Sequence, residues 1–288
     1  MILLLQLFPF LTSISTTTHK KTNRPPKAPE QKIGPKGDVT LVFTDVKSST
    51  ALWEMNALVM KRALQLHNDL IRSLLAVHDG YEVKTEGDAF MIAFADPLAA
   101  VIWTGEVQLK LLELDWPEEL YTHPDAAIHK NPEGETLYRG LRVRMGVHTG
   151  QPLAEEDPVT GRTDYFGPMV NRSARVESVA AGGQVMVSGS TWAAIEAKMQ
   201  GDLAPKFEST FVGEFELKGL EGKEKITQIL PTRISKREFA NESGKKESKA
   251  QRGPTGNVAV VCTAIQGSNR QWNKTPSEMQ KAFNVHNT

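Results

Sequence analysis

The chain has 288 residues, 40% of them hydrophobic, so it can bury one full core and part of a second. Lysine plus arginine equals aspartate plus glutamate at 34 each, which excludes a global positive field that would recruit nucleic acid. A polyanionic ligand must then be held by a few local cations, which favours a small phosphate compound over DNA. Cys262 is the only cysteine, so neither an internal disulfide nor a cysteine-based zinc site is expected, and the chain suits a reducing compartment.

The N-terminal part consists of an apolar run over 1–15 and a polar, basic, proline-containing stretch that ends at residue 36. The run is too short to span a bilayer. It fits a signal-peptide core, the end of a truncated transmembrane helix, or a helix that packs on another element. The basic flank is typical of the cytoplasmic side of a membrane segment and favours the second alternative, with membrane attachment through sequence upstream of residue 37.

From residue 37 onward the pattern is that of a compact α/β domain. Apolar periodicity and turn residues predict strands at 39–43, 81–84, 89–94, 141–148, 185–188, 211–218 and 225–230, and helices at 50–78, 97–114, 168–180 and 191–198. A polar segment over 115–138 is predicted as an insertion at the rim, and 150–162 as a loop. Residues 232–255 are charged and poor in large apolar side chains, which predicts a linker.

The last part of the chain resembles the start of the domain. Residues 256–287 align on 37–68 without a gap, with about ten identities in roughly thirty positions. Trp272 then corresponds to Trp53. The alignment predicts a domain over 37–231, a linker over 232–255 and, over 256–288, the truncated start of a second copy in which Ala264 replaces Asp45.

Two aspartates stand at sharp points of the pattern, Asp45 at the end of the first strand and Asp88 in the tight turn that contains Gly87. If these strands pair antiparallel, the carboxylates meet at one edge of the sheet, in the oxygen-rich geometry that Mg²⁺ or Mn²⁺ prefers when phosphate supplies other ligands. One such metal lowers the pKa of an attacking hydroxyl, and a second holds a triphosphate. Alternatively both are turn residues, because aspartate is common at strand ends.

The segment 46–50 joins the first strand to the first helix and is rich in serine and threonine. Backbone N–H groups at a helix start bind anions, so phosphates are expected there. The same residues are also the usual helix caps, with no ligand implied.

An ordered series of short motifs runs through the predicted domain. They are FTDV at 43–46, STALW at 49–53, KTEGDAF at 84–90, RMGVHTG at 144–150, DYFG at 164–167 and NRSAR at 171–175. The set resembles the class III nucleotidyl cyclase family, in particular its fungal and trypanosomatid adenylate cyclases, which share the insertion before RMGVHTG. The resemblance implies a ferredoxin-like palm, an α+β sandwich with a central, mostly antiparallel sheet flanked by helices.

The resemblance assigns roles to five of these residues. Asp45 and Asp88, with the carbonyl of Val46, match the ligands of two divalent cations, Mg²⁺ or Mn²⁺. Lys84 and Asp164 match the pair that reads the base: the ammonium donates to adenine N1 and the carboxylate accepts from the N6 amino group. Guanine presents the opposite pattern at these edges, so the pair implies ATP rather than GTP.

The remaining assignments concern the ribose and the phosphates. Asn171 matches the residue that orients the ribose, and Arg175 the arginine that neutralises the α-phosphate in the transition state. Lys218 is predicted to grip the outer phosphates, with Ser49 and Thr50 binding phosphate beside the metals. Seen singly, such residues are ordinary solvated or capping groups, and only their order and spacing favour the functional interpretation.

The resemblance implies conversion of ATP to 3′,5′-cyclic AMP and pyrophosphate at an interface between two cyclase domains, in a cytoplasmic catalytic domain. The partner is a second copy of the domain in a homodimer, or the second domain in a pseudo-heterodimer. The alternative is a weak or inactive nucleotide-binding and regulatory module that needs the missing second domain. His67 and His148 match no catalytic position and are predicted to be structural.

Overall fold

A computed structural model describes residues 33–158, 161–239, 275, 278–279 and 281–282. The N-terminal apolar run, residues 240–255 of the predicted linker and most of the predicted second copy, Ala264 included, lie outside the described residues. In the described part of the chain, no helix is both long and apolar enough to cross a membrane.

The described domain contains eleven strands and five α-helices within residues 33–239. The strands are β1 (Val39–Val46), β2 (Tyr81–Glu86), β3 (Ala89–Phe94), β4 (His129–Lys130), β5 (Thr136–Tyr138), β6 (Val143–Gly150), β7 (Leu153–Glu156), β8 (Thr163–Phe166), β9 (Val185–Ser188), β10 (Phe207–Glu216) and β11 (Lys223–Pro231). The helices are α1 (Ser49–Met55), α2 (Ala57–Val77), α3 (Pro97–Lys110), α4 (Pro168–Ser178) and α5 (Gly189–Gln200).

Seven of the strands form one sheet in the order β10-β11-β9-β6-β1-β3-β2. All neighbouring pairs in it are antiparallel except β6 and β9. The part β6-β1-β3-β2, with the helices between its strands, has the ferredoxin-like order, so the predicted fold class is confirmed.

The sheet carries helices on both faces because its strands alternate between two apolar sides. On β1, Val42 and Val46 join the larger core with α1, α2, α3 and α5, in which Trp103 is fully buried and lies 5.7 Å from the ring of Phe94. Val39 and Leu41 point to the opposite face, where α4 covers part of the sheet. Helix α4 therefore stands apart from the other helices.

The single helix predicted over 50–78 is wrong, since the structure contains two helices that meet at Asn56. Asn56 has an extended backbone with φ −161°, and its side-chain oxygen accepts hydrogen bonds from the N–H groups of Leu58 and Val59. It therefore caps a new helix. Apolar periodicity continues across this break, which explains why a pattern of hydrophobic residues does not detect it.

Two further segments contain more structure than the sequence predicts. The 115–138 insertion folds into a 3₁₀-helix, Glu118–Thr122, followed by the ribbon β4–β5. The loop predicted over 150–162 is wrong, because this segment contains β7. This strand pairs antiparallel with β8, which follows the segment.

The first residues of the predicted linker pack on the domain. A 3₁₀-helix at Thr232–Ile234 follows β11, and Arg237 is only 6% exposed. The Arg237 guanidinium donates to the carbonyl oxygens of Leu137 and Gly183 and lies 4.6 Å from the ring centre of Tyr138. Burial lowers the pKa of Arg237 to about 10, which leaves it charged at neutral pH. Residues just after 231 therefore pack on the domain, and the boundary between domain and linker stays a prediction.

The described part of the predicted second copy matches the first in one helical turn. Met279 is buried and donates its N–H to the carbonyl of Thr275. The corresponding Met60 is also buried and donates to the carbonyl of Asn56. The second copy as a whole stays a prediction.

Two buried histidines should make the domain acid-sensitive. Burial lowers the pKa of His67 and of His148 from 6.5 to about 4. The unfolded chain then binds more protons than the folded one, so their stabilising contribution is present above pH 6.5 and is lost as pH falls toward 4. We expect urea unfolding free energies to fall by up to about 2 kcal/mol per histidine between pH 7 and pH 5.

His148→Gln should reduce that loss by about 2 kcal/mol, since an amide cannot take up the proton. His129→Gln, at an exposed position, controls for the loss of one imidazole. An unchanged pH dependence in His148→Gln would contradict this account.

Candidate active site

The two aspartates come to the same end of the sheet, as their positions on antiparallel strands predict. β1 and β3 are neighbours, with Thr44 opposite Phe90. Asp45 follows Thr44, and Asp88 precedes β3 in a turn where Gly87 has φ +65°. The backbone N–H of Val46 donates to Asp88 Oδ2 at 3.1 Å, which fixes the Asp88 carboxylate beside β1.

Charge repulsion is built into this pair of carboxylates. Burial, followed by the negative charge of Asp45, raises the pKa of Asp88. Hydrogen bonds from the Ser49 side chain and from backbone N–H groups oppose this shift. A cation bound between the two carboxylates would relieve the repulsion.

Arg144 is part of this site and was not predicted as a site residue. It lies opposite Asp45 in the β1–β6 register, and its Nη2 lies 2.5 Å from Asp45 Oδ2. Its Nε lies 2.5 Å from Glu177 Oε1 on α4, in an ion pair that is poorly aligned for a hydrogen bond. The strand register, once known, places this cation beside Asp45, and the RMGVHTG motif contains it.

The segment between β1 and α1 has an unusual backbone. Ser48 has φ +56°, a left-handed conformation that non-glycine residues seldom adopt. Its side chain does not cap α1 and instead donates to Asp125 Oδ2 at 2.7 Å. Ser49 contacts Asp88 and is half-buried, while Thr50 is exposed in the first turn of α1.

Lys84 and Asp164 are brought together from strands 80 residues apart in the sequence. Lys84 Nζ lies 2.7 Å from Asp164 Oδ2, and the two side chains are 39% and 31% exposed. Asp164 Oδ1 also accepts from the N–H of Tyr165. The pair therefore presents one donor and one acceptor to solvent at a fixed separation.

An apolar cavity of about 210 Å³ lies beside Lys84. Its lining also includes Phe43, Glu86, Ala89, Phe90, Met91 and Val170. Apolar walls with a few polar groups suit a flat heterocycle. A larger cavity of about 770 Å³, lined by residues of 129–138 and 235–238, contains none of the predicted site residues.

Asn171 and Arg175 lie one turn apart on α4. Met169, Ser173 and Val176 are the buried residues of this helix, so Asn171 and Arg175 lie toward its other side. Both are half-buried, and Arg175 Nε is shielded without a hydrogen-bond partner among the described residues. An orphaned donor of this kind fits a group contributed by a ligand or a partner.

Lys218 is not brought into either group. It is exposed in the turn between β10 and β11. The structure thus brings the predicted metal ligands Asp45, Asp88 and Val46 together at one end of the sheet, and pairs Lys84 with Asp164, the residues predicted to read the base.

The donor set fits a hard divalent cation. Asp45 and Asp88 supply carboxylates and Val46 a carbonyl, and among the described residues no group of three or more His, Cys, Asp or Glu side chains forms a complete metal cage. Mg²⁺ and Mn²⁺ are often bound by one or two carboxylates together with phosphate and water oxygens. The residues therefore suit a metal that arrives with a phosphate ligand.

Known proteins with similar sequences are adenylate cyclases. The chain is 42% identical over 233 residues to the adenylate cyclase of Lachancea kluyveri, covering 70% of this chain and 13% of that protein. It is 37% identical over 238 residues to a receptor-type adenylate cyclase of Trypanosoma brucei brucei, covering 76% and 19%. The chain thus spans less than a fifth of the length of these curated relatives.

A similar solved structure comes from a study of Trypanosoma brucei adenylate cyclases in their monomeric state. It is 37% identical, has a TM-score of 0.63, and the match covers 72% of this chain and 94% of that one. The family model for the adenylate and guanylate cyclase catalytic domain matches residues 31–231. The chain therefore belongs to the adenylate and guanylate cyclase catalytic domain family.

Proposed function

We propose that this chain is an adenylate cyclase that converts ATP to 3′,5′-cyclic AMP and pyrophosphate. The observation that carries the proposal is the Lys84–Asp164 pair, a donor and an acceptor 2.7 Å apart beside an apolar cavity. An ammonium and a carboxylate side by side complement adenine N1 and the N6 amino group. The names of the relatives support the same substrate.

The metal-binding half is proposed to hold two divalent cations, Mg²⁺ or Mn²⁺, through Asp45, Asp88 and Val46. When bound, the metals would supply positive charge that activates the ribose 3′-hydroxyl and stabilises the pyrophosphate leaving group. Ser49 and Thr50 lie beside these ligands and are proposed to contact phosphate oxygens. The Val46 N–H and the Ser49 side chain keep Asp88 in a metal-binding orientation.

Three cations serve the phosphates in this proposal. Arg144 contacts Asp45 and can exchange this contact for a phosphate oxygen once a metal neutralises the carboxylate. Arg175 neutralises charge on the α-phosphate in the transition state, and Asn171 orients the ribose. Lys218, exposed at a turn, is proposed to reach the outer phosphates from the rim.

The complete site is proposed to form between two domains. Asn171 and Arg175 lie on the side of α4 opposite its buried residues, where a second domain can present a nucleotide to them. In a homodimer each protomer supplies metals to one site and the base-reading pair, Asn171 and Arg175 to the other. A pseudo-heterodimer with the predicted second domain, which lacks the metal ligand at Ala264, has one working site.

ATP is abundant in the cytosol, so the catalytic domain is proposed to be cytoplasmic. Attachment to a membrane upstream of residue 37 stays a proposal. A binding-only module is the competing function, and formation of cyclic AMP distinguishes the two.

Replacing the base-reading pair should reduce the preference for ATP. In Lys84→Gln/Asp164→Asn we expect kcat/KM for ATP to fall at least about 100-fold, because two charged hydrogen bonds are lost and each costs roughly 1.5–3 kcal/mol. The ratio of cyclic AMP to cyclic GMP formed from equimolar ATP and GTP should fall at least about tenfold.

Glu86→Gln is the matched control, because Glu86 lines the same cavity but has no base-reading role in the proposal. Both variants are measured with purified full chain and Mn²⁺. An unchanged product ratio in the double variant would show that other residues choose the base.

A further inference from the structure

Asp125 lies in the insertion between α3 and β6, yet its carboxylate contacts the segment that follows β1. Ser48 donates its hydroxyl to Asp125 Oδ2 at 2.7 Å, and Lys47 Nζ lies 3.5 Å from Oδ1. Arg142 Nη1 lies 3.9 Å from the same oxygen. Although burial opposes it, the Ser48 hydrogen bond and these cations lower the pKa of Asp125, so the group is ionised at neutral pH.

The backbone of Ser48 needs such a contact. Among the described non-glycine residues only Ser48 and Asp79 have positive φ, and this conformation costs roughly 1–2 kcal/mol. The Ser48 hydroxyl makes no capping bond to α1 and instead holds the turn through its hydrogen bond to Asp125.

The turn at residues 46–49 also supports Asp88, a proposed metal ligand. Val46 and Ser49, which flank Lys47 and Ser48, both donate hydrogen bonds to Asp88. We expect a change in the Ser48 conformation to move these two donors relative to Asp88. In other metal sites, removing a group that orients a metal ligand commonly lowers metal affinity by about 10- to 100-fold.

The insertion is fastened at a second point beside this turn. Arg142 accepts the N–H of Lys47 with its carbonyl at 2.9 Å. Its guanidinium donates to the carbonyl of Pro124 and lies 4.6 Å from the ring centre of Tyr138. These contacts hold Asp125 next to the segment that follows β1.

We propose that Asp125 is a positioning residue: through Ser48, the insertion fixes the 46–49 turn and thereby orients Asp88 for the metal–nucleotide complex. This inference rests on the proposed cyclase function. It makes the insertion part of the support of the active site, so that a displacement of the insertion alters nucleotide turnover.

An electrostatic role for Asp125 makes different predictions. If only its charge mattered, Asp125→Asn would have the full effect and Ser48→Ala, which changes no charge, would have none. If Asp125 acts through the Ser48 hydroxyl, Asp125→Asn keeps an acceptor oxygen and retains most of the function. Asp125→Ala and Ser48→Ala should then resemble each other, and the double variant should be no worse than either alone.

The first measurement is amide hydrogen exchange of the full chain without metal or nucleotide. In Asp125→Ala and Ser48→Ala we expect peptides covering residues 46–55 to exchange roughly tenfold faster, while peptides from β6 and α3 are unchanged. Asp115→Ala, at an exposed position of the same insertion, should leave all peptides unchanged. Unchanged exchange over 46–55 in Asp125→Ala would overturn the inference whether or not the chain is an active cyclase.

The second measurement is cyclic AMP formation as a function of Mn²⁺ and ATP. Asp125→Ala and Ser48→Ala should raise the Mn²⁺ concentration for half-maximal rate about tenfold, with a smaller change in kcat at saturation. Additive losses in the double variant, or a full loss in Asp125→Asn, would overturn the inference. A wild-type chain that forms no cyclic AMP would contradict the proposed function and leave the exchange result to decide on Asp125.

Discussion

Asp45→Ala is expected to lower the rate of cyclic AMP formation at least about 1000-fold, because it removes one of the two carboxylates that we propose hold the metals. The substitution also removes the carboxylate with which Arg144 forms an ion pair. The rate is measured with the purified chain, ATP and Mn²⁺.

Asp45→Asn keeps the shape of the side chain and should be nearly as inactive, which separates loss of the charge from misfolding. Asp38→Ala, at an exposed position just before β1, is the matched control and should keep wild-type activity. Asp45 variants that melt like wild type and keep more than about a tenth of its activity would exclude Asp45 as a required metal ligand.

Mixing two inactive variants should restore activity. In the proposed shared site, Asp45→Ala removes a metal ligand and Arg175→Ala removes the cation that neutralises the α-phosphate, so each variant homodimer should have two defective sites. In a mixed dimer, one site receives intact Asp45 from one protomer and intact Arg175 from the other. Random pairing in an equimolar mixture makes half the dimers mixed, each with one of two sites working, so we expect about a quarter of the wild-type activity.

The control for this experiment is a mixture of Asp45→Ala with Asp88→Ala. Both substitutions damage the metal half, so each site of the mixed dimer lacks one metal ligand and no activity should return. Equal recovery in the two mixtures, or none in either when the wild-type chain is active, would contradict a site shared between protomers in this way.

Local sequence patterns are enough to place the two proposed metal ligands together, because both residues mark the ends of strands. Asp45 ends a buried strand and Asp88 sits beside a turn glycine, so a simple antiparallel pairing is enough to bring them together. Predicting that Arg144 lies beside Asp45 requires the register of β1 against β6. Hydrophobic alternation alone does not specify this register to one residue.

The missed features depend on single polar contacts between distant parts of the chain. Asn56 interrupts a continuous apolar stripe with two side-chain hydrogen bonds. Asp125 acts on a serine 77 residues away, and nothing in the composition of the insertion indicates that contact. The charge of Arg237 is typical of a linker, yet a carbonyl acceptor and an aromatic ring allow this side chain to be buried.

Several exposed or unsatisfied groups in the described residues are compatible with a partner domain. The exposed Phe211 and Val212 on β10 and the orphaned Arg175 Nε are the features of the described residues that a partner would cover or complete. The face of α4 that carries Asn171 and Arg175 is compatible with a site shared between two domains.

The most direct test is cyclic nucleotide formation by the purified full chain with ATP or GTP and Mn²⁺, over at least about a tenfold range of protein concentration. We expect cyclic AMP from ATP, far less cyclic GMP from GTP, and a specific activity that rises with concentration as protomers associate. No cyclic nucleotide at any concentration would contradict the claim that this chain is a cyclase by itself and would favour the binding module that needs its second domain.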